Sequence, residues 1–117
     1  MPTPHLPSIA VRRALLKLGA DLKVARLRRS LPADVVASRA FTTRPTLRRV
    51  EAGDTGVSIG IYAAVLQALG LLDGLSTIAD PYYDKTGMLL SIEGLPQRAR
   101  IKRYRQKVRD DGGTKPL

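Results

Sequence analysis

Apolar positions recur at spacings of three and four through the first 79 residues, the period of helices that bury one face. Leu15, Leu18, Leu22 and Ala25 share one such face. Ser8 suits the N-cap ahead of them, and Arg26, Arg28 and Arg29 suit the negative C-terminal end. Gly19 interrupts the run, so either the regular part begins near Arg12 or the helix packs closely against a neighbour there. A second helix is expected over residues 32–40. Pro32 fits a first turn, where its missing N–H would be unpaired anyway; Asp34 favours the helix start, and Val35, Val36 and Ala40 supply the buried face. Thr43 then caps a third helix, with Pro45 in its first turn, Leu47 and Val50 pointing inward, and Ala52-Gly53 ending it in the left-handed turn that glycine permits. Ser58 caps a fourth helix with Ile61, Val65, Leu66 and Leu69 as its stripe, closing at Gly70. A short fifth helix over residues 72–79 completes the core.

The period is lost after Asp80-Pro81. Residues 87–94, GMLLSIEG, form a short apolar run between glycines, and a strand is expected over 88–92. Leu95-Pro96 breaks the chain, and the following RARIKRYRQKVR reads as a helix or a disordered arm. Residues 1–7 hold three prolines and are expected to be unstructured. The pattern predicts an all-α fold of five helices with a short C-terminal strand and arm. It divides the chain into an N-terminal lead of residues 1–7, a helical domain of 8–79 and an extension of 80–117.

Charge adds a partner to this picture. Twenty Lys+Arg against ten Asp+Glu give a net charge of +10 and a pI near 10.7. That balance favours a polyanion, of which nucleic acid is the commonest. Residues 1–79 hold eleven basic and five acidic residues; residues 80–117 hold nine and five, and seven of those nine fall in the basic tail 97–109, which has no acid. A ribosome- or RNA-associated basic adaptor fits the same charge. The chain has no cysteine, which excludes disulfides and thiol chemistry and fits a reducing cytoplasm. No apolar run approaches the roughly 20 residues that span a membrane, and MPTPHLPS carries no signal-peptide pattern. One Phe, four Tyr and no Trp offer little for stacking single strands. Enzymatic chemistry is not expected: His5 is the sole histidine, the acids show no metal-ligand or acid/base spacing, and no cofactor or metal is implied.

The third helix concentrates the chemistry. Arg44, Arg48 and Arg49 lie on one short, polar element that follows a tight turn, the size and charge that fit a DNA major groove. The alternative is that these arginines simply solvate an exposed face. The ordered set Leu18-Gly19…Leu22…Ala25-Arg26, 31–37 (LPADVVA), 43–47 (TRPTL), 50–53 (VEAG) and Val57-Ser58…Leu66…Ala68-Leu69-Gly70 resembles the lambda-repressor-like, Cro/C1 (XRE family) helix-turn-helix domain. The resemblance implies that Thr43, Arg44, Pro45 and Arg49 face the bases and that Thr46 and Arg48 face the backbone. It also implies a partly buried ion pair between Arg26 and Glu51, the alternative being that Glu51 belongs to the solvated last turn of its helix. Three positions depart from the family pattern. Ala33 stands where a phosphate-clamping glutamine is common. Phe41 stands at the turn glycine, which implies either an altered turn or a side chain folded inward. Asp54 stands where a basic phosphate contact is common, and would repel the backbone, leaving Ser58 and the first amides of the fourth helix as phosphate ligands.

One such domain covers about half an operator, so the resemblance implies a homodimer on palindromic double-stranded DNA. The joint is expected either in the fifth helix or in Met88, Leu89, Leu90 and Ile92, as a strand pairing with its copy, although that run serves nearly as well to cover its own core. Asp80-Pro81, Asp84, Gly87 and residues 95–100 (LPQRAR) are similar to HipB-like regulators. That likeness implies an antitoxin that binds a HipA-like kinase toxin and represses their shared promoter. A stand-alone, phage-type XRE regulator is the alternative, and either would be cytoplasmic and nucleoid-associated.

Overall fold

The computed structural model describes residues 6–94 and contains six helices: α1 (Ile9–Arg28), α2 (Ala33–Arg39), α3 (Arg44–Glu51), α4 (Ile59–Ala68), α5 (Leu72–Ser76) and α6 (Lys85–Gly94). Two compact units meet in sequence between Ser76 and Thr77. The first holds α1–α5 and the second holds α6. The basic tail 97–109 and most of the N-terminal lead lie outside the described residues.

Local sequence explains each boundary of the first unit. The Ser8, Thr43 and Ser58 hydroxyls accept hydrogen bonds from the amides of Val11, Thr46 and Ile61 in the first turns, and the Ile61 amide is shared with the Ser58 carbonyl at 3.1 Å. Helix ends are equally uniform. Ser30, Phe41, Gly53 and Gly70 all adopt a left-handed backbone, with φ of 54°, 56°, 72° and 77°. After each, the next amide reaches back to a carbonyl of the last turn: Leu31 to Arg26, Thr42 to Ala37, Asp54 to Arg49 and Leu71 to Leu66. This is the Schellman arrangement. Phe41 therefore makes the ordinary turn, and its side chain is 95% exposed rather than folded inward. The Phe41 amide donates to the Ser38 carbonyl, so the hydrogen bonds of the turn are made at the expense of a strained aromatic residue.

The core is a single cluster. Leu22 of α1, Val36, Ala37 and Ala40 at the end of α2, Leu47 and Val50 of α3, Val57, and Tyr62, Val65 and Leu69 at α4 are all buried. Helix α3 packs on both α1 and α2, while α2 also touches α4. Burying Leu47 and Val50, three residues apart, fixes which side of α3 faces out. The contact between α1 and α3 is backbone on backbone. A Cβ added at Gly19 would lie 2.5 Å from the Val50 carbonyl oxygen, and one at Gly53 would lie 2.5 Å from that of Leu15. Gly19 thus marks a close crossing, and the helix runs through it unbroken from Ile9.

The expected strand over 88–92 is overturned. Met88, Leu89, Leu90 and Ile92 lie in α6, and no strand occurs among the described residues. The helix count rises from five to six accordingly. Methionine and leucine are strong helix formers, and Asp84 starts the helix: its side chain accepts from the Gly87 amide at 2.9 Å and its carbonyl from the Met88 amide at 2.9 Å. A lone strand would leave its backbone groups unpaired, whereas a helix pairs them internally. Helix α5 ends at Ser76, short of the expected residue 79.

Candidate nucleic-acid interface

Helix α3 is anchored along one side and open along the other. Leu47 and Val50 are essentially inaccessible, while Arg44, Pro45, Arg48 and Arg49 are exposed and Thr46 is half-buried. Arg44 and Arg48 are four apart, as are Pro45 and Arg49, so the outward side carries two adjacent rows. At the open end the Thr43 hydroxyl accepts from the Thr46 amide at 3.3 Å and donates to the Thr46 hydroxyl at 3.1 Å. Both threonines therefore shape the helix start.

Two arginines face acids. Arg44 Nε lies 2.8 Å from Asp34 Oδ1, and both side chains are well exposed. Arg49 Nε donates to Asp54 Oδ2 at 2.8 Å. This second pair is more firmly built. Asp54 Oδ1 accepts from the Gly56 amide at 2.7 Å, and the Asp54 carbonyl accepts from the buried Tyr62 hydroxyl at 2.7 Å. Hydrogen bonds from Arg49 and then Gly56 hold the Asp54 carboxyl below the usual carboxylate range, and the same contact raises Arg49. Burial, followed by the nearby Asp54 charge, pushes the Tyr62 hydroxyl up. Asp54 is thus an internal partner of Arg49 before it is a repeller of phosphate. Arg48 has no ion-pair partner among the described residues.

Arg26 and Glu51 tie α1 to the end of α3. Arg26 Nε and Nη2 donate to Glu51 at 2.7 and 3.2 Å, and Nη1 donates to the Leu31 carbonyl at 3.1 Å. The two side chains are 12% and 11% exposed. The bond to Glu51 raises the Arg26 pKa against the opposing effect of burial. This fork holds α1, the α1–α2 turn and α3 at fixed separation, which sets how far α3 stands out.

Beside it opens a cleft of about 330 Å³, in which Ala33 is flanked by Lys23, Arg44 and Arg48. Four cationic residues, Lys23, Arg26, Arg44 and Arg48, thus share the cleft with Ala33, and Arg26 among them is paired with Glu51. Lys23 escaped the sequence reading; its one signal is the three-residue spacing to Arg26, which puts both on the side of α1 that meets α3. At α4, the Ser58 hydroxyl accepts from the Ile61 amide at 3.3 Å, leaving its own proton free to donate. Met88, Leu89, Leu90 and Ile92 of α6 are 45%, 60%, 56% and 72% exposed. Among the described residues no group of three or more His, Cys, Asp or Glu side chains could hold a metal, and no helix is long and apolar enough to cross a membrane.

Comparison with known proteins agrees with this geometry. Residues 17–76, half of the chain, match the family model of a helix-turn-helix domain. Neither curated proteins nor solved structures give a match. The matched segment runs from the middle of α1 to the end of α5, and so contains the whole core, the turn at Phe41 and every residue of the arginine-bearing face. The chain belongs to the helix-turn-helix domain family, the DNA-binding class to which XRE-like regulators belong.

Proposed function

We propose that this chain is a sequence-specific repressor that binds double-stranded DNA as a homodimer, with α3 lying in the major groove. The observation that carries the reading is the two-sidedness of α3: Leu47 and Val50 buried, and Arg44, Pro45, Arg48 and Arg49 standing outward beside the free N-terminal end. In this reading Arg44 and Arg49 donate to guanine O6 and N7, each good pair discriminating by ~1–3 kcal/mol. Thr43 and Pro45 offer apolar contact to thymine methyls. Thr46, Arg48 and Ser58 bind phosphates, with the amides at the start of α4 assisting. Lys23, beside Ala33, supplies the phosphate contact that the absent glutamine cannot.

Two copies would read half-sites about 34 Å apart, one turn of the duplex. The exposed Met88, Leu89, Leu90 and Ile92 of α6 give an apolar surface for the joint, as helix against helix. The finer role we favour is the antitoxin of a HipBA-like module, which represses its own operon and binds a HipA-like kinase toxin in the cytoplasm, at the nucleoid. Asp84 and Gly87, part of the HipB-like pattern, make the start of α6, which gives that pattern a structural purpose. A stand-alone regulator is the second reading, favoured by a family match that ends at residue 76.

Selection from a randomised duplex pool tests the proposal. A two-fold symmetric motif is the expected result, and recovery without sequence preference refutes it. Affinity capture with the full chain from its own cytoplasm separates the two roles: a stoichiometric kinase supports the antitoxin, and its absence supports the solitary regulator.

A further inference from the structure

Asp54 stands out because its charge has the wrong sign for a DNA-facing loop, yet nothing in the loop keeps it away from the arginines. Five interactions fix it. Its main-chain N–H donates to the Arg49 carbonyl at 3.0 Å, and its carbonyl accepts from the Val57 amide at 3.4 Å and from Tyr62, a core residue 4% exposed. Its Oδ1 accepts from the Gly56 amide and its Oδ2 from Arg49 Nε. The Asp54 backbone is therefore tied to the core, and its carboxylate reaches the arginine side chain. Asp34, beside Arg44, lacks this support: its side chain is 66% exposed.

The contact leaves a particular edge of Arg49 free. Nε–H points at the carboxylate, and Nη2 lies over Gly56, where an added Cβ would come within 3.3 Å of it. Nη1 and the outer N–H of Nη2 make no hydrogen bond among the described residues. That edge presents two parallel donors, which match the O6 and N7 acceptors of guanine and no other base's major-groove pattern. A long side chain already held in this pose loses less freedom on binding than a loose one. The same carboxylate repels phosphate, so it weakens contact with every sequence while improving the choice among them.

We propose that Asp54 is a specificity-determining positioning residue, which holds Arg49 by Nε and aims its outer edge at one guanine in each half-site. This rests on the reading that α3 lies in the major groove. Gly56 belongs to the device as the residue that leaves room for the pair, and Tyr62 as its anchor.

The test is a set of binding titrations at one salt concentration, with the full chain as wild type, Arg49→Ala, Asp54→Ala, Asp54→Asn and the Arg49→Ala/Asp54→Ala double variant. The probes are the selected duplex, its single base-pair substitutions and an unrelated duplex. Asp54→Asn is nearly isosteric; it keeps an oxygen for Gly56 and the main-chain bond to Tyr62, but presents an amide nitrogen to Arg49. Arg49→Ala is expected to lower the preference for guanine at one position by about tenfold. Both Asp54 variants are expected to lower it at that same position by at least about threefold, leave other positions unchanged and bind the unrelated duplex more tightly. In the Arg49→Ala background, removing Asp54 should alter no base preference. If Arg49→Ala relaxes guanine while both Asp54 variants keep the full preference, the positioning role is overturned and the groove reading stands. If Arg49→Ala changes no preference, the base-reading role of Arg49 falls and the positioning role falls with it. A uniform loss of affinity in Asp54→Asn, across all positions, would make Asp54 a structural loop residue and also overturns the proposal.

Discussion

Replacing Gly19 by alanine sets helix propensity against packing, and the two give opposite signs. Gly19 lies in the interior of α1, where alanine is better than glycine by about 1 kcal/mol, so propensity alone expects a more stable protein. The crossing with α3 expects the reverse. The new Cβ would meet the Val50 oxygen at 2.5 Å, the Glu51 oxygen at 2.7 Å and the Gly53 nitrogen at 2.7 Å, all of them backbone. Ordinary contact begins near 3.4 Å, so the two helices would have to part by about 0.9 Å at this point. A gap of that size forfeits roughly a quarter to a half of the dispersion attraction between facing atoms, and here Leu22 faces Leu47 and Val50 in one cluster. Overpacking costs about 1–3 kcal/mol even when side chains can adjust; against fixed backbone the upper end applies. After the propensity gain, a net loss of about 2 kcal/mol remains, or roughly 10 °C in Tm for a domain of this size. Thermal and urea unfolding followed by circular dichroism would measure it. Gly60→Ala in α4 is the control, since only the Ser58 hydroxyl lies near, at 3.8 Å, and its Tm should hold or rise. A Gly19→Ala protein as stable as the wild type would refute the close α1–α3 crossing.

Other substitutions probe the remaining supports. Glu51→Ala strands the Arg26 charge, 12% exposed, and should cost about 3 kcal/mol in urea unfolding, whereas Arg26→Met with Glu51→Leu should recover most of it. Phe41→Gly removes a strained left-handed backbone and an almost wholly exposed side chain, so Tm should rise by about 4–8 °C with DNA affinity unchanged. The carboxyl of Asp54 titrates below its ordinary value in the fold, so its contribution is complete above the unfolded carboxylate pKa of about 4 and fades as pH falls through the depressed folded value. Asp54→Asn should therefore flatten the acid limb of the stability profile and leave its slope near neutrality alone. Arg48→Ala should weaken all duplexes alike and reduce the salt dependence of binding by about one counterion.

The helices of the first unit were legible because each carries its own punctuation. Ser8, Thr43 and Ser58 announce the starts, Gly53 and Gly70 the ends, and the three-and-four spacing marks Leu22, Val50 and Val65 as core. Phe41 was ambiguous because its residue type argues for burial while its place in the turn demands a left-handed backbone; the backbone decides. The run 88–92 misled because five apolar-rich residues between glycines fit either period, and Asp84, the residue that starts the helix, lies outside the run. At the interface the arginines stood out by type and spacing. Their acid partners did not, because the pairing of Arg49 with Asp54 depends on the turn at Gly53 folding the chain back, and no period encodes that. Lys23 and Tyr62 were hidden for a similar reason: one enters the cleft through the packing of α1 on α3, and the other acts through a single hydroxyl reaching a loop carbonyl.

Methylation interference on the selected duplex tests the central claim most directly, because it reports which groove α3 occupies. Methyl groups at guanine N7 lie in the major groove, and those at adenine N3 in the minor groove. The account expects N7 methylation to block binding at symmetric guanines in the two half-sites, with the block at one guanine per half-site disappearing in Arg49→Ala and at another in Arg44→Ala. Adenine N3 methylation at those positions should have no effect. Interference confined to the minor groove, or blocks that persist in both arginine variants, would contradict it.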